Sequence, residues 1–172
     1  MTPYSTISKL LHWGLAVIIL SMLAFGNALT NAEPTLETIQ RFNQHKVAGL
    51  VALALILWRV IERLRSGASF PGGTNPAWDD YLARIVHIAF YVAMIAMPLT
   101  GWVGSSAAGI DPVIFGVILP GIVPQNPDLS DTLFVAHGVI GKILLGLFAL
   151  HMIGLFKRLI GGDQKVIERM TG

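Results

Sequence analysis

Residues 131–159 read DTLFVAHGVIGKILLGLFALHMIGLFKRL. His137 and His151 stand in this apolar run with thirteen residues between them. Fourteen helical steps come close to four full turns, so both imidazoles project from nearly one face. At ~1.5 Å per residue they lie about 21 Å apart along the axis. An imidazole buried in lipid is costly and marks function. The run therefore predicts a membrane-crossing helix that serves two metal centres stacked across a bilayer.

The composition agrees. Of 172 residues, 53% are hydrophobic and 13% charged, with a mean hydropathy of +0.65. That balance is wrong for a soluble domain and right for a small polytopic membrane protein, and the length suits one domain over 1–172. The absence of cysteine excludes disulfides, thiolate-held iron–sulfur clusters, CxxC zinc sites and covalently attached haem. A pI near 9.2 could serve nucleic acid, but the basic residues form no single patch, so no nucleic-acid partner is expected. No GxGxxG fingerprint is present for a nicotinamide cofactor.

Four apolar runs follow one another: Leu10–Leu29, His45–Leu64, Asp80–Val103 and Leu133–Ile160. Each has the ~20 residues that cross a ~30 Å hydrocarbon core. Met1–Lys9 reads as a polar lead, Glu33–Gln44 as a polar loop, Ser66–Pro76 as a Gly/Pro/Ser loop, and Gly104–Asp131 as the longest connection. Within it Val113–Val123 is too short to span and is bracketed by Pro112, Pro120 and Pro124. It reads as an interfacial or re-entrant cap. Pro98 and Gly101 predict a kink near the end of the third run.

Lysine and arginine set the orientation. Lys9, Arg59, Arg63, Arg65, Arg84, Lys157, Arg158, Lys165 and Arg169 share one side, with only Arg41 and Lys46 on the other. The expected fold is all-α, a four-helix transmembrane bundle with both termini cytoplasmic. Trp13, Trp58 and Trp78 at one end and Trp102 at the other read as interface anchors. Lys9, an apolar run and Gly26-Asn27-Ala28 also outline a signal peptide. The run is long for that role, and cleavage would discard His12.

All five histidines fall within or at the edge of apolar runs. One such residue would be an ordinary structural histidine, but five of five form a pattern. The topology sorts them by depth: His45 and His137 outer, and His12, His87 and His151 inner. The outer pair is forced, while three candidates compete for two inner positions. Bis-histidine ligation between facing helices is how bundles hold haem b without covalent attachment. HKVAG (45–49) and HGVIG (137–141) both place a glycine, Gly49 or Gly141, four residues beyond the histidine. The missing side chain leaves room for a porphyrin. Gly146 and Gly154 read as helix-packing glycines. Arg59 lies fourteen residues after His45, placed for an inner propionate or for snorkelling to headgroups. Lys142 lies well inside the fourth run, where lysine is expensive, with a propionate or a polar pocket as its expected goal. A zinc or copper site would want a compact cluster. A small transporter or proton pathway is the rival from another class, though it lacks embedded carboxylates.

KLLHW (9–13), HKVAGLVALALILWRVIERL (45–64), HIAFYVAMIAMPLTGW (87–102) and HGVIGKILLGLFALH (137–151) together resemble the bacterial cytochrome b561 family. These are di-haem b proteins related to the haem b subunits of formate dehydrogenases and nickel–iron hydrogenases. The resemblance covers about Ser5 to Met170. It implies two non-covalent, bis-histidine b haems in the bacterial inner membrane. Their expected ligands are His45 with His137 outside and His12 with His151 inside. His87 is the alternative inner ligand and otherwise a residue of the quinone site. The resemblance also implies exchange with ubiquinone near His87, His151, Trp13 and Arg158. Superoxide or another periplasmic donor would supply the electrons, steered by Arg41 and Lys46. Where some relatives carry further histidines, this chain has Phe156, Lys157 and Arg158. A haem b anchor subunit for a dehydrogenase or hydrogenase is the second redox reading.

Overall fold

A computed structural model describes residues 5–66 and 78–162. Its helices are α1 (Thr6–Leu29), α2 (Leu36–Arg65), α3 (Trp78–Ala107) and α4 (Pro127–Ile160). A hairpin of β1 (Val113–Ile114) and β2 (Val117–Ile118) joins α3 to α4. Consecutive helices pack against one another, most extensively α3 on α4. His12 of α1 meets His151 of α4, so the four helices close into a bundle. The end bearing the hairpin is called the hairpin end below. The opposite end, with Arg59, Arg63 and Arg158, is the basic end.

The core is thin: Leu15, Ala52 and Ile56, flanked by Ile18, Ile19, Leu55, Met94 and Ile95. Large apolar side chains instead cover the outside, with Val17, Val51, Val92 and Ile153 all more than half exposed. A soluble protein would hide them, whereas a lipid-facing bundle presents them. α1, α4 and α3 from Asp80 onward are long and apolar enough to cross a membrane. α2 has a charge-free centre, Val47–Trp58, between Glu37, Arg41 and Lys46 at one end and Arg59, Glu62, Arg63 and Arg65 at the other.

Every helix with a described start begins earlier than its apolar run, and the cause is capping. α1 starts at Thr6, within the expected polar lead, because the Ser5 hydroxyl accepts from the Ser8 amide. α2 starts at Leu36, so most of Glu33–Gln44 is helix and not loop. Thr35 caps it, Glu37 favours the positive N-terminus, and Arg41 pairs with Glu37 at 2.6 Å. α4 starts at Pro127, with Asn126 as cap and proline in the first turn. Hydropathy marks the membrane-embedded part of a helix and is blind to its polar ends. α3 runs through Pro98, and the Thr100 hydroxyl donates to the Ala96 and Met97 carbonyls beside it.

With α3 reaching Ala107, the long connection shrinks to residues 108–126. The expected cap is a hairpin, with Val113 opposite Ile118 and Ile114 opposite Val117. Phe115 (φ 49°) and Gly116 (φ 80°) supply the two positive φ values of a two-residue type I′ turn. The Asn43 side chain exchanges two hydrogen bonds of 2.8 Å with the Val113 backbone, tying the hairpin to α2. The Ser66–Pro76 loop expectation, Lys165 and Arg169 lie outside the described residues, Ser66 excepted.

Candidate functional site: two histidine levels in one bundle

The rings of His45 and His137 are 6.1 Å apart, centre to centre, at the hairpin end. Fourteen residues along α4, His151 lies 6.4 Å from His12 and 5.5 Å from His87. Helix periodicity thus delivers two separate histidine levels, the outer pair as expected and all three inner candidates together. Among the described residues, no three histidine, cysteine or acidic side chains converge on one metal-ion position.

At the hairpin end, His137 Nδ1–H donates to the Met97 carbonyl at 2.8 Å. A carbonyl can only accept, so the bond fixes the tautomer and leaves Nε2 with its lone pair. Gly101 makes this contact possible. It is four residues beyond Met97, where a side chain would cover that carbonyl, and a Cβ there would come within 3.0 Å of His137 Cε1. Gly26 does the same for the other ring, since its Cβ would meet His45 Cε1 at 2.9 Å. Neither glycine was a sequence candidate for the site. The signal was nevertheless present: Gly26 is fourteen residues after His12, and Gly101 is fourteen after His87. Each helix therefore carries one position per level. Gly26, His45, Gly101 and His137 form one level, and His12, Arg59, His87 and His151 the other.

The two glycines that were expected to make room behave differently. A Cβ on Gly49 would touch only the Met22 methyl at 4.0 Å, leaving open space. One on Gly141 would meet the Met97 methyl at 3.3 Å and Leu23 at 3.6 Å, both flexible side-chain ends. The Trp102 indole nitrogen is buried without a hydrogen-bond partner. His45 Nδ1 shares that condition. Among the described residues, nothing lies within 4 Å of a Cβ on Gly146 or Gly154, so neither packs against a described helix.

At the basic end, Arg59 donates to the Ser8 carbonyl at 2.8 Å and contacts His12 Nδ1 at 3.3 Å. It therefore reaches into the inner level. The Ala83 carbonyl accepts from His87 Nδ1–H. Phe90 and His87 both stand against the His151 ring, and Trp13 stands edge-on to His12 at 5.3 Å. Arg158 is ion-paired with Asp80, fastening the end of α4 to the start of α3. Of the two expected steering cations, Arg41 pairs with Glu37 on the exposed surface, and Lys46 donates to the Ile110 carbonyl at 2.6 Å below the hairpin.

An apolar helical bundle with paired histidines at two depths and an arginine at one of them is the build of a membrane haem b protein. The profile of the prokaryotic cytochrome b561 family matches residues 3–172, and the chain belongs to that family. It is 27% identical to "Probable superoxide oxidase CybB" of Yersinia pestis, over 97% of this chain and 95% of that protein. It is 28% identical to "Cytochrome b561 homolog 2" of Escherichia coli (strain K12), over 98% and 91%. Membership makes it a multi-pass inner-membrane oxidoreductase of electron transport whose family cofactor is haem b. The transporter reading falls.

The donor set fits that cofactor. Two imidazoles on opposite sides of one iron, each about 2 Å from it, stand with ring centres roughly 6 Å apart. The 6.1 Å and 6.4 Å separations match, while 5.5 Å is short. The unpartnered Trp102 Nε1–H beside the hairpin-end level is a ready donor for a carboxylate. Because a Cβ at Gly101 would come within 3.0 Å of the His137 ring, Gly101→Val should push that ring away. If each level holds one haem, as proposed below, the haem-to-protein ratio should drop by about half. A ratio equal to wild type would show that the contact does not position the ring.

Proposed function

We propose that the chain is a single-domain, four-span, di-haem b cytochrome with cytoplasmic termini that carries electrons from periplasmic superoxide to ubiquinone on the cytoplasmic side. The observation that carries this reading is the pair of histidine levels on opposite ends of α4, each with a ring separation suited to one iron. The relative named as a probable superoxide oxidase supports the donor. The charge distribution along the sequence supports the orientation, with the basic end in the cytoplasm.

His45 and His137 hold the outer haem, and His12 and His151 the inner one. When bound, haem b supplies a one-electron carrier at each level. The protein's own part is placement. Met97 and Gly101 orient His137, and Gly26 seats His45. Arg59 is the cation for an inner carboxylate, and Trp102 the donor for an outer one. Near His151, Trp13 and Arg158 line the approach for ubiquinone. His87 keeps its Nδ1 proton on Ala83, so Nε2 is the atom that receives a proton and passes it to the quinone. Lys46, at the hairpin, is left as the outer cation for an approaching anion. The overall reaction balances: two superoxide ions give up one electron each and leave as O₂, and ubiquinone takes both electrons and two protons to become ubiquinol.

Superoxide added to the purified protein with a soluble ubiquinone tests this. The expected result is reduced b-type bands and one ubiquinol for every two superoxide ions consumed. Oxidised bands with no ubiquinol formed would reject superoxide as the donor.

A further inference from the structure

Lys142 takes no part in either histidine level. It follows His137 by five residues, which turns it about 140° away from that ring. Its side chain is exposed on the outside of α4, and among the described residues it makes no hydrogen bond or ion pair. It is therefore not directed at a propionate or an internal pocket. Fifteen residues of α4 precede it and eighteen follow, so it sits close to mid-helix. Snorkelling does not release it: apart from His137, which is turned away, the polar residues of α4 on the hairpin side begin at Thr132, ten residues or about 15 Å away and beyond the reach of a lysine stem. A strong donor is thus left facing lipid tails near the bilayer centre, a costly arrangement that membrane proteins keep where a partner group meets it.

The surrounding face is shaped for close approach. Gly138 and Gly146 flank Lys142 one turn away on either side and are exposed, and nothing lies within 4 Å of a Cβ on either. The two glycines let another helix backbone come near, and the lysine between them requires an acceptor.

A second copy does not supply that acceptor. Among the described helices, no Asp or Glu lies in the central half of any one. Copies that share one membrane orientation bring equal depths together, so Lys142 would meet apolar side chains or another Lys142. We infer that the Gly138–Lys142–Gly146 face of α4 docks a transmembrane helix of a different protein, one carrying an aspartate or glutamate near the bilayer centre. This goes beyond the electron-transfer reading and does not depend on it.

The test uses the full-length protein in lipid nanodiscs and fluorescently labelled Leu/Ala transmembrane peptides of about 20 residues. The peptides have a central Glu, Gln or Leu, and association is read by energy transfer. The Glu peptide should bind more tightly than the Leu peptide, and Lys142→Leu should erase the difference. The expected change is about threefold to thirtyfold, the range of interhelical polar contacts in membranes. Gly146→Leu should weaken the Glu peptide as well, by blocking approach. An unchanged Soret band in each variant reports an intact bundle. Equal binding of the Glu and Leu peptides to the wild-type chain would overturn the proposal. So would self-association of the wild-type chain that Lys142→Leu abolishes, which would make a second copy the occupant.

Discussion

His45→Ala and His137→Ala should each remove the same haem. The two rings belong to helices that are not neighbours in sequence, yet they stand 6.1 Å apart at one level. Neither ring has a substitute nearby, because the other two helices present Gly26 and Gly101 there. On the proposed ligand set, losing one of the two imidazoles therefore cannot be repaired within the level. Both single variants and the double variant should fall from two haems per chain to one, with the same absorption component missing in all three. Residues that act as one unit are non-additive in this way. The inner level is about 21 Å along α4, so its spectrum should be unaffected. Pyridine haemochrome assay with low-temperature difference spectra reads this out. Loss of two different components in the two single variants would break the pairing.

The sequence alone made the class of the fold and the histidine levels legible because both follow from periodicity. Apolar runs announce the helices. Fourteen-residue spacings assign His45, Arg59, His137 and His151 to faces, and alternating direction assigns them to ends. What stayed hidden depends on the rotation of helices against one another, which no single run encodes. Gly26 reads as part of a cleavage site and Gly101 as a kink, and neither reading shows that a Cβ there would run into a histidine ring. The Asp80–Arg158 pair spans 78 residues of sequence, and no local pattern announces it. Lys142 was legible as an anomaly, while its direction was not. The helix starts were misplaced for another reason. The caps at Ser5, Thr35 and Asn126 lie in polar segments, where polarity marks helix ends and not irregular structure.

At the basic end the decisive comparison is among three variants. His151→Ala should abolish the inner haem and, with it, ubiquinol formation from an outer donor. The loss should exceed the 10–100-fold that removing an orienting partner costs a metal site. For the opposing ligand, two geometric facts pull apart. His87 already has the ligating tautomer, with Nδ1–H on Ala83, whereas the Arg59 contact makes His12 Nδ1 an acceptor. Ring separation favours His12, at 6.4 Å against 5.5 Å. The proposed assignment follows ring separation, because the Arg59 head moves on a long flexible stem. A propionate is a better acceptor than imidazole for a guanidinium, being charged and able to bind it through two hydrogen bonds. Drawing Arg59 away frees Nδ1 to carry the proton and Nε2 to ligate. His12→Ala should accordingly match His151→Ala in losing the inner haem. His87→Ala should retain both haems and slow ubiquinol formation by the roughly 10²-fold or more that losing a general acid costs. If His87→Ala loses the inner haem and His12→Ala keeps it, the roles of these two residues are exchanged.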